Sequence, residues 1–155
     1  MEELIELGLI SGVVDITTTE LADELVGGMR SAGPNRLTSA GKKGIPQVIC
    51  PGAIETVNFG SLNTVPEHLK NRVFYQHTPN ATLIRITLSE AEQLGKILAD
   101  KINDSHGPVT IVLPLRGFSE YNKLGQPFYD EQINNGFIES LKKHLNKQIK
   151  LVEVD

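Results

Sequence analysis

The chain has 155 residues, and its 19 acidic and 15 basic side chains give a net charge of −4. That length suffices for one domain with a substantial core, and the acidic balance argues against a general polyanion-binding surface, so nucleic acid is not an expected partner. A single cysteine, Cys50, excludes an intrachain disulfide and a cysteine-based zinc cluster.

No apolar run is long enough to cross a bilayer. The opening "MEELIELGLI" is acidic where a signal peptide is basic, so a cytoplasmic setting is expected. That opening is a short amphipathic segment. "GVVDI" (12–16) then reads as a short buried strand. Thr17 and Glu20 fit a capping box. It opens a helix with Leu21, Ala22, Leu25 and Val26 on one face and a left-handed ending at Gly27 and Gly28. "GPNR" (33–36) has a turn signature and little else.

"IPQVIC" (45–50) is the next strand and runs into "PGAIETVNFG". Thr64 and Glu67 make a second capping box before a short helix through Leu69. "RVFYQH" (72–77) is a strand candidate entering "TPN", whereas "TLIRIT" (82–87) is extended without a clear place in a sheet. Ser89 and Glu92 make a third capping box, followed by a stripe of Leu94, Ile97, Leu98 and Ile102. "PVTIVLPL" (108–115) is the clearest strand, apolar on both faces as expected when both are covered. Asp130 caps the last helix, which carries Ile133, Phe137, Leu141 and Leu145 on one face, and "IKLVEVD" closes as a strand.

This alternation predicts one domain over residues 1–155. It should be a three-layer α/β structure with a mostly parallel, Rossmann-like sheet and helices on both faces. "GVVDI", "QVIC", "RVFYQH" and "TIVLPL" are expected side by side. Ligands of such sheets bind outside the carboxyl ends of the strands, so the segments leaving those ends are the candidate site. Thr17 is expected as the cap, with Thr18 and Thr19 offering hydroxyls and helix N–H groups to an anion. Gly52 and Ala53 approach from the next loop with Asn58 nearby, although Gly52 also suits turn geometry and Asn58 also suits a bond within its own loop. His77 ends a strand, where a structural histidine is the commoner case. Arg116, Gly117 and Ser119 leave the clearest strand, and an arginine there can fix an anion with its fork of donors. No pair of histidines has metal-ligand spacing. Neither the Walker pattern nor the Gly-x-Gly-x-x-Gly fingerprint occurs.

"DITTTELADELVGG", "SAGPNRL", "GIPQVICPGAIETVNFG", "TVPEHL" and "GQPFYD", in this order, resemble an uncharacterised bacterial, fungal and plant family. That family shares its ATP-binding domain with the tomato mosaic virus resistance protein. The likeness covers nearly the whole chain and matches the C-terminal subdomain of longer proteins. It implies an ATP-binding cleft, with or without magnesium, between two Rossmann-like subdomains, and a tendency to form homodimers. Asn122 stands where relatives often carry Asp, and Glu131 where proline is common.

Three functions are open to such a chain. The first is a nucleotide-binding half-module completed by an N-terminal subdomain. The second is an enzyme acting on a small anionic metabolite with ATP as substrate, using His77 or Asp15 in acid–base work. The third is a protein-interaction domain stabilised by nucleotide.

Overall fold

The computed structural model describes residues 1–155. Its elements run α1 (Glu2–Glu6), β1 (Val13–Thr17), α2 (Thr19–Val26), α3 (Ser39–Lys43), β2 (Gln47–Gly52), β3 (Thr56–Phe59), β4 (Phe74–Thr78), β5 (Ala81–Arg85), α4 (Leu88–Asn103), β6 (Val109–Pro114), α5 (Glu131–His144) and β7 (Lys150–Val154). Four strands form a parallel sheet in the order β1-β2-β6-β7 with the helices of this chain packed on one face, so the expected second layer of helices is not part of it. The expected α/β architecture with a mainly parallel sheet is therefore present.

β3, β5 and β4 form a separate antiparallel sheet. This corrects the expectation for "RVFYQH", which supplies β4 and not a parallel strand. Only Pro79 and Asn80 separate β4 from β5, whereas a parallel crossover needs a dozen or more residues. β4 is exposed at nearly every residue, unlike a strand buried on both faces of a parallel sheet.

Core side chains alternate along the parallel strands. Ile49, Ile111 and Leu113 point into a cluster built with Leu21, Leu94, Leu98, Phe137 and Leu141. Helices α4 and α5 meet through Gly95, where a Cβ would lie 2.6 Å from the Phe137 carbonyl oxygen. Val13 packs with Ile5 and Ala40 in a smaller cluster. The one-way strand order explains this layering. Parallel connections are right-handed in about 98% of cases, so strands added in one direction send every connecting helix to the same face.

Three helix starts differ from expectation. Thr17 stays in β1 opposite Gly52, and Thr18 takes the N-cap position of α2 without a side-chain cap bond. Thr64 and Glu67 form no capping box. Their segment is two 3-10 turns, the second beginning after Pro66, and the Thr64 hydroxyl donates to the Ser61 carbonyl. The box predicted at Ser89 and Glu92 forms two residues earlier, at Thr87 and Glu90, because Thr87 has the extended backbone that an N-cap needs. Asp130 caps α5 as expected, accepting from the Ile133 N–H.

Candidate functional site

The loops leaving β1, β2 and β6 are stitched into one rim at the carboxyl edge of the sheet. The Thr18 N–H donates to the Gly52 carbonyl at 2.9 Å, and the Ala53 N–H donates to the Phe118 carbonyl at 2.7 Å. Ser119 Oγ donates to the Glu55 carboxylate. Two backbone features hold this geometry. Gly52 crosses β1 so closely that a Cβ would sit 2.3 Å from the Ile16 carbonyl oxygen. Gly117 has φ +122°, a conformation that glycine adopts without strain. Ala53 is left-handed as well, with φ +54°, and carries that strain at the centre of the rim.

Thr17, Thr18, Thr19, Gly52, Ala53, Gly117 and Ser119 are thus brought together. Their side chains play unequal parts. Thr17 is exposed and Thr18 fully buried. Thr19 Oγ1 donates to the Thr56 carbonyl at 2.9 Å and accepts from Asn58 Nδ2 at 3.0 Å. The N–H groups of Thr19 and Glu20 have no main-chain acceptor, as at any helix start.

Asn58 lies below the rim and is tied down. Its backbone N–H and Nδ2 both donate to the buried Asp23 carboxylate, at 2.9 and 2.7 Å. Arg116 projects outward beside the end of β7 and pairs with Asp155 at 3.0 Å, both side chains about three-quarters exposed. His77 sits on β4, outside the parallel sheet. Its ring nitrogen is 2.6 Å from the Tyr121 hydroxyl, and Tyr121 packs on Tyr75 with ring centroids 4.5 Å apart. His77 therefore reaches the rim only through Tyr121, which lies two residues beyond Ser119.

Two residues of the site give no obvious sequence signal. Glu55 is 1% exposed, and its carboxylate accepts from the Ser119 hydroxyl. The Thr56 hydroxyl lies beside it without completing a bond. No cation approaches, so burial pushes the Glu55 carboxyl above its ordinary range. Arg36, from the "GPNR" turn, is buried and grips Asp15 with two bonds of 2.5 and 2.6 Å. A further bond to the Thr17 carbonyl, with Glu20 and Glu2 each 3.6 Å away, ties β1 to α1 and α2. Asp15 is thereby committed to structure. Asn122 is also structural. It closes the loop after β6 by accepting from the Phe118 N–H and donating to the Phe128 carbonyl and to Asn134.

Buried polar atoms without a hydrogen-bond partner gather at this edge, Glu20 Oε2 among them keeping only its 3.6 Å ion pair with Arg36. They are Thr18 Oγ1, Glu20 Oε2, Glu55 Oε2 and Thr56 Oγ1, while Thr82 Oγ1 lies apart on β5. Native structures leave few such atoms, and each calls for an explanation such as strain, a catalytic role or a bound water or ion. Three acidic groups that could share a metal ion are nowhere close enough together.

A model of the C-terminal domain of an uncharacterised protein family, UPF0261, matches residues 1–155. A UPF0261 protein of Clostridium tetani is 43% identical over 156 residues, which cover all of this chain and 39% of that protein. A UPF0261 protein of Mesorhizobium japonicum is 37% identical over 143 residues, 92% of this chain and 36% of its own length. The ToMV resistance protein Tm-1(GCR237) of Solanum lycopersicum is 37% identical over 132 residues, 85% of this chain and 18% of that protein. The chain thus spans well under half the length of the relatives it matches.

Proposed function

The chain belongs to the UPF0261 family, as its C-terminal domain, and from that premise we propose that it supplies one wall of an ATP-binding cleft. An N-terminal domain, such as the longer relatives have room for, completes the site. The rim is the observation that carries this reading. It joins three loops at the carboxyl edge of a parallel sheet, where nucleotides bind in such folds, and it collects the free N–H groups of α2 and the unpartnered polar atoms. Arg116 supplies the positive charge. Its ion pair with Asp155 is exposed on both sides, and pairs of that kind are worth little, so the guanidinium is free to turn to a phosphate. The setting we propose is a cytoplasmic homodimer, with magnesium accompanying the nucleotide.

Titration calorimetry with ATP and with a non-hydrolysable analogue tests this on the protein that carries both domains. Arg116→Ala should weaken binding by roughly 1.5–3 kcal/mol, the range of a charged hydrogen bond, and leave Tm unchanged. Equal affinity of Arg116→Ala and the parent would refute the assignment of Arg116.

Glu55 favours a second reading, an enzyme that turns ATP over on a small anionic substrate. A buried carboxyl with a raised pKa, hydrogen-bonded to a serine at a ligand-binding edge, is equipped for proton transfer. His77 and Asp15 are less suited, being held by Tyr121 and Arg36. Release of phosphate or pyrophosphate that Glu55→Gln abolishes would support it. ATP binding without turnover leaves the half-module reading in place.

A further inference from the structure

The parallel sheet has one face that this chain leaves bare. Val14 and Ile16 on β1 are 69% and 66% exposed, and Val48 on β2 and Val154 on β7 are exposed as well. Val14 lies beside Val48, on a rung that continues to Thr110 and Lys150, and one rung on Val112 lies beside Val152, so this face is mostly apolar across the strands. None of them belongs to either core cluster. The cause is topological. With the order β1-β2-β6-β7, right-handed connections keep every helix of the chain on the opposite face. Yet the strands are apolar on both faces, the composition of sheets covered on both. A contiguous exposed apolar patch marks a place of contact.

We infer that this bare face is covered by helices from the N-terminal part of the longer family polypeptides. In the two bacterial relatives more than half of the polypeptide lies outside the matched region, and the matched region is the C-terminal domain. One arrangement covers the face without breaking the handedness rule. Strands laid outward from the free edge of β1, away from β2, run opposite to the β1-to-β7 direction, and their right-handed connections fall on the bare side. The winding then reverses at β1. Reversal points are where open α/β sheets form their ligand crevices, and the carboxyl end of β1 is the Thr17–Thr19 loop. The inference rests on the reading of the rim as a half-site and gives that half-site its second wall.

Cys50, the only cysteine, reports on this face because it alternates with buried Ile49 and shares the side of Val48. Alkylation of Cys50 is measured by peptide mass spectrometry on the 155-residue chain and on the same chain joined to its N-terminal domain. The joined protein should react at least about tenfold more slowly, a factor that corresponds to 1.4 kcal/mol of protection. Ile16→Asp, at a position exposed in the short chain, should leave that chain folded and restore Cys50 reactivity in the joined protein. Val14→Lys should do the same. Equal labelling with and without the N-terminal domain would overturn the inference. So would protection already present in a dimeric short chain, which assigns the face to a second copy. Protection of Cys50 in a joined protein that fails to bind ATP would sustain the interface and refute the nucleotide reading instead.

Discussion

Glu55→Gln removes a buried charge while keeping the side chain's shape and the oxygen that accepts from Ser119. The parent carboxylate accepts from Ser119 and has an unpartnered Oε2 and no cation nearby. Its folded-state pKa lies above the unfolded value of about 4.5. The folded protein therefore holds the proton where the unfolded chain has lost it. The corresponding stability is fully present below pH ~4.5 and is lost as pH rises through the folded-state value. Glutamine has no such loss. An unsatisfied buried polar group costs about 1–3 kcal/mol, and a charged one more. The variant should accordingly match the parent near pH 4 and exceed it by about 1–3 kcal/mol at neutral pH. For a domain of this size that is about 2–12 °C in Tm. Thermal unfolding followed by circular dichroism between pH 4 and 8 reads the difference directly. Other shifted carboxylates, among them Glu2 and Glu90, are common to both proteins and cancel. A difference in Tm that stays constant with pH, or a variant that grows less stable than the parent as pH rises, would refute the reasoning.

Gly95→Ala should destabilise by about 1–3 kcal/mol in urea unfolding, because the new methyl meets the Phe137 carbonyl at 2.6 Å and the Leu141 nitrogen at 2.8 Å. Arg36→Met should cost about 3–5 kcal/mol by the same measurement, since it leaves Asp15 in the fold without its buried partner. The threonines should separate. Thr18→Val replaces a buried hydroxyl that has no partner and should leave the urea midpoint unchanged or higher. Thr19→Val breaks bonds to Thr56 and Asn58 and should lower stability by about 1–3 kcal/mol.

The parallel sheet was legible because its strands are short apolar runs separated by amphipathic helices. Its limit came at "RVFYQH", where strand content was clear but direction was encoded in the two-residue turn that follows. The starts of α2, α4 and α5 were legible to within two residues, whereas α3 gave no signal and the box at Thr64 and Glu67 opens only 3-10 turns. "TLSEAE" contains two overlapping capping patterns, and only the backbone decides that Thr87 is the extended one. Gly52 was visible only as a glycine in the loop after a strand, and β2 in fact runs through it. Glu55 was hidden, because an acid between Ile54 and Thr56 reads as a surface residue until Ser119 arrives from 64 positions away. Arg36 had a signal that the turn motif masked. The acid in the middle of "GVVDI" requires a buried cation, and Arg36 is the one that reaches it. His77 looked like a strand-end ligand only while its strand was placed in the parallel sheet.

The antiparallel sheet leaves the parallel one after Glu55 and rejoins it at Ile86, whose N–H donates to the Glu55 carbonyl at 3.0 Å. Everything between those two residues is a closed excursion. Arg72 fastens it with two bonds to Glu90, the same carboxylate that completes the cap of α4. The excursion is also held along its length, since Asn58 donates twice to Asp23 of α2, the Thr19 hydroxyl donates to the Thr56 carbonyl, and Val57, Phe59, Val65, Leu69 and Ile84 pack in the main core. Doubling a flexible stretch within it adds only about 0.6 kcal/mol of closure entropy. Length can therefore change cheaply only at the exposed turn of Pro79 and Asn80, and a graft of another member's excursion between Glu55 and Ile86 has to carry the matching face of α2 with it.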